Sequence, residues 1–226
     1  MLVERSTHPD WLSNAFLVGV EDGPAVFVDS GADPAPLLEA VERWRATPVA
    51  MLRTHGHHDH VEHEDGLVRR YSIPVIAEPG EWKWDSLAVR ALATPGHSED
   101  GLSFVVDDSV VATGDTLFRD AVGGGDVAAV RRSVMEVLLA LPDAMRVLPG
   151  HADETTIGRE RRSNPFVRVW SGGEQEGTER VRVGGREATL LVWSPDYDGK
   201  GKAWVRFDDD GSEAIVGGSR VERERG

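Results

Sequence analysis

Thr54-His55-Gly56-His57-His58-Asp59-His60 follows almost directly on the apolar run Pro48-Val49-Ala50-Met51-Leu52. A short buried strand that runs straight into imidazoles and a carboxylate is the pattern of a site built on a strand-end loop. Five of the chain's eight histidines lie between positions 55 and 63. Neutral imidazole and carboxylate are the usual protein ligands of zinc, iron and manganese. His55 and His57, two apart in extended chain, point the same way and can converge on one ion. Asp59 and His60 lie where the chain turns and can face a second ion beside it.

Three further candidates stand at turns after apparent strands: His97 in Thr94-Pro95-Gly96-His97-Ser98, Asp115 in Thr113-Gly114-Asp115-Thr116, and His151 in Leu148-Pro149-Gly150-His151. Each follows a glycine, which frees the backbone to project one polar side chain. A single such turn is ordinary loop chemistry. Five histidines and two aspartates, all at strand ends, are a candidate metal centre. His8, His58 and His63 are left out of it as surface residues.

Working outward, residues 14–20 and 24–29 read as strands around the turn at Glu21-Asp22-Gly23. Residues 36–46 carry Leu37, Leu38, Val41 and Trp44 at helical spacing. Strands are expected at 74–77, 87–93, 102–106, 109–113 and 146–148, and one helix over 127–141. Strands in pairs with helices between them make an α/β protein with helix-covered sheets. Ser171-Gly172-Gly173-Glu174-Gln175-Glu176-Gly177 reads as a linker. Short strand-like runs at 180–183, 188–193, 202–207 and 214–216 follow it. The expected organisation is a metal hydrolase domain over 1–170 and a small β-rich appendage over 174–226, which is marginal alone and packs on the main domain.

The chain has 226 residues, no cysteine, and a net charge of −14 from 25 basic and 39 acidic side chains. Without cysteine there is no disulfide scaffold, thiolate-zinc site or cysteine nucleophile. The acidic balance and the lack of a basic stripe argue against a nucleic-acid partner. No apolar run approaches a membrane span and no signal pattern opens the chain, so the cytoplasm is the expected compartment.

His55-Gly56-His57-His58-Asp59-His60, followed by His97, Asp115 and His151, resembles the metallo-β-lactamase superfamily. The nearer likeness is to its glyoxalase II-like and persulfide dioxygenase-like branch. Val28-Asp29-Ser30-Gly31, Gly114-Asp115-Thr116-Leu117-Phe118 and the stretch from Thr155-Thr156-Ile157-Gly158-Arg159-Glu160 to Asn164-Pro165-Phe166 are similar to that branch. The resemblance covers about residues 12–166. It implies an αββα sandwich with two divalent ions at one edge, zinc first, with iron and manganese as alternatives. His55, His57 and His97 would hold one ion and Asp59, His60 and His151 the other. Asp115 would bridge them, and Asp29 would hold the histidine loop from behind.

Two departures stand out. That branch often carries an arginine near Gly123-Gly124-Gly125-Asp126, where three glycines here predict a looser loop. Glyoxalase II has a helical C-terminal region that helps bind glutathione, whereas this tail reads as β-rich.

The implied chemistry is hydrolysis of an activated acyl bond (a thioester, ester or lactone) in a small-molecule substrate. A water shared by the two ions would attack it, with Asp59 and Asp115 as catalytic carboxylates. The alternative is a persulfide dioxygenase-like oxidoreductase with one iron on His55, His97 and Asp115. A metal-binding scaffold without activity is the third reading. Phe118, Trp82 and Trp84 are candidates for an apolar acyl pocket, and Arg119 and the arginines of 159–162 for a substrate carboxylate. The tail is expected to narrow the entrance and set substrate choice, to form a homodimer contact, or to stabilise the fold.

Overall fold

A computed structural model of the chain describes residues 1–223. The first sheet is β1 (Leu2–Thr7), β2 (Asn14–Gly19), β3 (Pro24–Val28), β4 (Thr47–Leu52) and β5 (Val75–Ile76), side by side in that order. The second runs β6 (Gly80–Trp84), β7 (Leu87–Ala93), β8 (Leu102–Val106), β9 (Val110–Gly114), β10 (Arg146–Pro149) and β11 (Thr155–Thr156), again in spatial order. Both faces of the central strands are covered, so β2, β3, β8 and β9 are buried along their whole length. All six residues of β2 and all five of β3 are buried. Alternate residues serve opposite sides. Phe16, Val18, Val26 and Val28 meet Leu102, Phe104 and Ala112 between the sheets. Ala15, Leu17, Ala25 and Phe27 face outward under α1 (Ala35–Trp44).

The histidine stretch itself folds into α2 (His58–Val61), and α3 (Glu64–Tyr71) follows it. Over the outer face of the second sheet lie α4 (Val127–Arg132), α5 (Ile157–Ser163) and α6 (Pro165–Trp170). This is an αββα sandwich. The expected single helix over 127–141 keeps α geometry only to Arg132. It widens to a π-turn over Ser133–Val137 and closes as a 3₁₀ turn over Leu138–Ala140. The Ser133 hydroxyl donates to the Pro95 carbonyl at 2.7 Å, which ties this irregular stretch to the loop carrying His97.

The C-terminal segment forms a third, antiparallel sheet: β12 (Glu179–Val183), β13 (Arg186–Ser194), β14 (Lys202–Phe207), β15 (Glu213–Gly217) and β16 (Val221–Arg223). Leu191, Val192, Trp204 and Ile215 belong to one continuous cluster with Val134, Leu138, Phe166 and Trp170 of the helical layer. The Trp170 and Trp204 rings meet edge-on at 6.0 Å across the seam. Burying several large side chains per partner, at about 1.5–3 kcal/mol each, joins this sheet firmly to the helices.

Trp82 and Trp84 stand on strand β6, not in a loop, and pack partly buried against the inter-sheet core. That is a correction to their reading as acyl-pocket walls. Tyr71 packs on Phe27, away from the histidine cluster.

Candidate metal centre

Seven side chains from four segments meet at the ends of β4, β7, β9 and β10. The ligand atoms of His55, His57 and His97 lie within 4.8 Å of one another, and so do those of Asp59, His60 and His151. Asp115 stands between the trios. Its Oδ1 is 3.4 Å from His60 Nε2, and its Oδ2 is 3.5 Å from His97 Nε2 and 3.4 Å from His151 Nε2. His151 Nε2 also lies 3.4 Å from Asp59 Oδ2. His55, His60 and His151 are buried, while His57, Asp59 and His97 reach the open side.

The outer ring nitrogens decide which lone pairs face inward. Asp29, itself buried, accepts the Thr54 N–H on Oδ1 at 2.8 Å. Its Oδ2 takes the Thr54 hydroxyl at 2.7 Å and His60 Nδ1–H at 2.8 Å. Thr54 Oγ1 in turn lies 3.1 Å from His55 Nδ1, and the Gly124 carbonyl 2.9 Å from His97 Nδ1. With those protons directed outward, the Nε2 atoms of His55, His60 and His97 present lone pairs to the interior. Two buried polar atoms there, His60 Nε2 and Asp115 Oδ1, have no hydrogen-bond partner. Buried polar atoms without partners are rare and costly. Imidazoles and carboxylates aimed at one space fit a divalent cation.

Electrostatics agree. Burial pulls the His60 and His151 imidazoles down, but Asp29 acting on the first, and Asp115 and Asp59 on the second, override it. The results are about 9 and about 10. Asp115 is pushed up by burial, yet His151, His60 and His97 hold it far below the usual carboxylate range. Burial lowers His55 to about 4, helped by the charge on His60, and lowers His97 as well.

Glycines set the close approaches. A Cβ on Gly31 would fall 1.5 Å from the Asp59 carbonyl oxygen. Only a bare backbone lets the loop after β3 grip α2, where Ser30 N–H donates to the His60 carbonyl at 2.7 Å. The Gly123–Gly125 stretch is not loose. A Cβ on Gly123 would meet the Asp115 carbonyl at 1.9 Å, Gly124 holds His97, and Gly125 bridges to Ile215 of the third sheet. Close packing of three neighbours replaces the expected freedom.

The metallo-β-lactamase superfamily model matches residues 8–86. An uncharacterised protein of Mycobacterium leprae is 34% identical over 190 residues, spanning 63% of this chain and 87% of that protein. The chain belongs to the metallo-β-lactamase superfamily. Hydroxyacylglutathione hydrolase GloC of Haemophilus influenzae is 28% identical, over 68% of this chain and 92% of its own. Among solved structures, ETHE1 from Myxococcus xanthus superposes with a TM-score of 0.66 at 26% identity, covering 77% of this chain and 92% of that one. TTHA1623, solved in a di-iron-bound form, superposes at 0.61 with 31% identity, covering 72% and 99%. As a metallo-β-lactamase superfamily member, the chain is a metal-binding protein of hydrolase type.

Around this superfamily centre the structure adds one residue that the sequence did not single out and gives others their partners. Tyr197, on the β13–β14 loop, stacks on the His151 ring at 4.2 Å and 14°. It lies 46 positions after His151, and no local pattern marks it. Glu160, fully buried, accepts the Thr155 hydroxyl at 2.5 Å, the Asp120 N–H at 2.8 Å and the Asn164 amide at 3.0 Å. Asn164 also caps α6 and donates to the Ala121 carbonyl at 3.1 Å. These two residues fix the loop that follows Asp115. Phe118 in that loop is buried, with its ring edge-on to His151 and Tyr197. Arg159 pairs with Asp120 and Glu160, and Arg161 and Arg162 with Asp143, so none of these arginines faces the centre. His58 is exposed, His63 is half-buried, and His8 stacks on Trp11 at 4.2 Å.

Proposed function

We propose that this protein hydrolyses an activated acyl bond (a thioester, ester or lactone), with two divalent ions, zinc first, held by His55, His57 and His97 and by Asp59, His60 and His151, and with Asp115 between them. The observation that carries this reading is the seven-donor cluster, with partnerless buried atoms pointing into it. Ions bound there polarise a carbonyl oxygen and lower the pKa of a water from about 15.7 to about 7. The chain's own residues do the rest. Asp29, Thr54 and Gly124 hold the imidazoles in one tautomer and orientation. Asp59, on the open side, is placed to accept a hydrogen bond from the attacking water and keep its lone pair on the acyl carbon. A thiolate or enolate-like leaving group needs no separate acid, and no serine or cysteine nucleophile is required.

A second reading comes from the resemblance to the persulfide dioxygenase-like branch, in which one iron on His55, His97 and Asp115 would serve oxidation. Elemental analysis of purified protein, with a panel of thioesters, esters and lactones and an oxygen electrode, separates the two. Two ions per chain and acyl turnover support the hydrolase. One iron with oxygen consumption and no acyl turnover refutes it.

A further inference from the structure

Next to the centre is a cavity of roughly 370 Å³ whose walls include Arg5, Asn14, Arg119, Asp153 and Tyr197. Distant parts of the chain build it: strand β1 and the start of β2, the loops after Asp115 and His151, and the β13–β14 loop of the third sheet. It shares a wall with the centre, because Tyr197 covers the His151 ring. The third sheet holds that wall rigidly. Asp196 and Lys202 form a 3.0 Å ion pair with side chains only 4% and 12% exposed, which anchors both ends of the loop.

Arg5 and Arg119 line this cavity together with Asp120, Asp153 and Asp196. Asp120 is answered by Arg159 at 2.8 Å, and Asp196 by Lys202. Only Asp153 is left to face both Arg5, at 3.2 Å, and Arg119, at 3.9 Å. Two guanidinium groups therefore share one carboxylate. The Asp153 side chain is 69% exposed, and exposed pairs of this kind are weak, so an incoming anion can take its place. Guanidinium is the group best shaped to grip a carboxylate with two parallel hydrogen bonds.

We infer that this cavity receives a carboxylate at the far end of the acyl substrate, with Arg119 and Arg5 as its binding residues and the Tyr197 ring as the wall along which the substrate lies. The inference rests on the hydrolytic reading and narrows its substrate class to acyl compounds bearing a second, anionic end. It also makes the third sheet part of the substrate site. About a quarter of this chain has no counterpart in ETHE1 or TTHA1623, and the segment after Gly173 is of that size.

Calorimetric titration of the zinc-loaded protein with dicarboxylates from succinate to pimelate, each against the monocarboxylate of equal length, reads this site without turnover. One dicarboxylate should bind at least about tenfold tighter than its monocarboxylate. Arg119→Gln should erase that preference and Arg119→Lys should keep part of it. In parallel, Arg119→Gln should raise KM for a carboxylate-ended thioester about tenfold more than for its neutral amide. Equal binding of the two acid series by the wild type, or an undiminished preference in Arg119→Gln, overturns the inference. A dicarboxylate preference that depends on Arg119, without turnover of any thioester, ester or lactone, upholds the anion site and refutes the hydrolytic reading.

Discussion

Asp29→Asn changes one oxygen to an amide nitrogen behind the metal centre and leaves the volume almost unchanged. The carboxylate accepts three hydrogen bonds at 2.7–2.8 Å, from the Thr54 N–H, the Thr54 hydroxyl and His60 Nδ1–H. The amide keeps one good acceptor for Thr54 N–H and offers N–H groups where two acceptor contacts stood. Replacing two charge-assisted bonds by poorer neutral ones costs about 2–4 kcal/mol. For a domain of this size that lowers Tm by roughly 4–16 °C. The second consequence is chemical. An amide N–H facing His60 Nδ1 requires that nitrogen to accept, which moves the imidazole proton to Nε2, the atom aimed at the centre. Affinity at the Asp59–His60–His151 position should then fall about 10- to 100-fold. Scanning fluorimetry of the metal-free variant and zinc titration against a competing chelator measure the two effects separately. A variant that binds two ions as tightly as wild type, with Tm within about 2 °C, refutes the argument that Asp29 sets the His60 tautomer.

Three further outcomes are expected. Asp115→Ala removes the carboxylate between the trios and should leave at most one ion by elemental analysis, with acyl turnover down at least about 100-fold; retained turnover contradicts the bridged arrangement. Gly31→Ala drives a Cβ into the Asp59 carbonyl and should cost about 2–4 kcal/mol and loosen metal binding, whereas Gly66→Ala in α3, where a Cβ meets nothing, should be neutral or stabilising in the same denaturation assay. The pH dependence of metal-free stability has a definite sign. His60 at about 9 and His151 at about 10 lie above the unfolded value of 6.5, so their contribution is full below about pH 6.5 and is lost as pH rises through 9–10. His55, at about 4, works oppositely: the unfolded chain takes up its proton first, and stability falls as pH drops from 6.5 through 4. The metal-free Tm should therefore peak near neutrality. Zinc should remove the alkaline decline, since its ligands are already unprotonated. An alkaline decline of equal size with zinc bound would refute this.

The inner strands of the first two sheets were legible because burial on both faces leaves nearly unbroken apolar runs, as in β2, β3 and β8, whereas the outer strands β1, β6 and β11, only partly buried, were not. The seven donors were legible because strand-end loops concentrate them and glycines precede several. What stayed hidden depends on contacts between distant segments. Nothing near Tyr197 announces its stacking on His151, and Trp82 and Trp84 look like loop residues until β6 pairs with β7. The widening at Ser133 coincides with a hydrogen bond to Pro95, 38 positions away. Gly123–Gly125 suggested freedom because composition reports which conformations are allowed and not which neighbours press on them.

The edge-on contact of Trp170 with Trp204 places one indole on each side of the boundary between the helical layer and the third sheet. Two chromophores at that separation couple, and their near-ultraviolet circular dichroism depends on mutual orientation. The molecule thus carries its own optical gauge of whether the added sheet is seated, readable in unlabelled protein while substrate analogues or metal are titrated in.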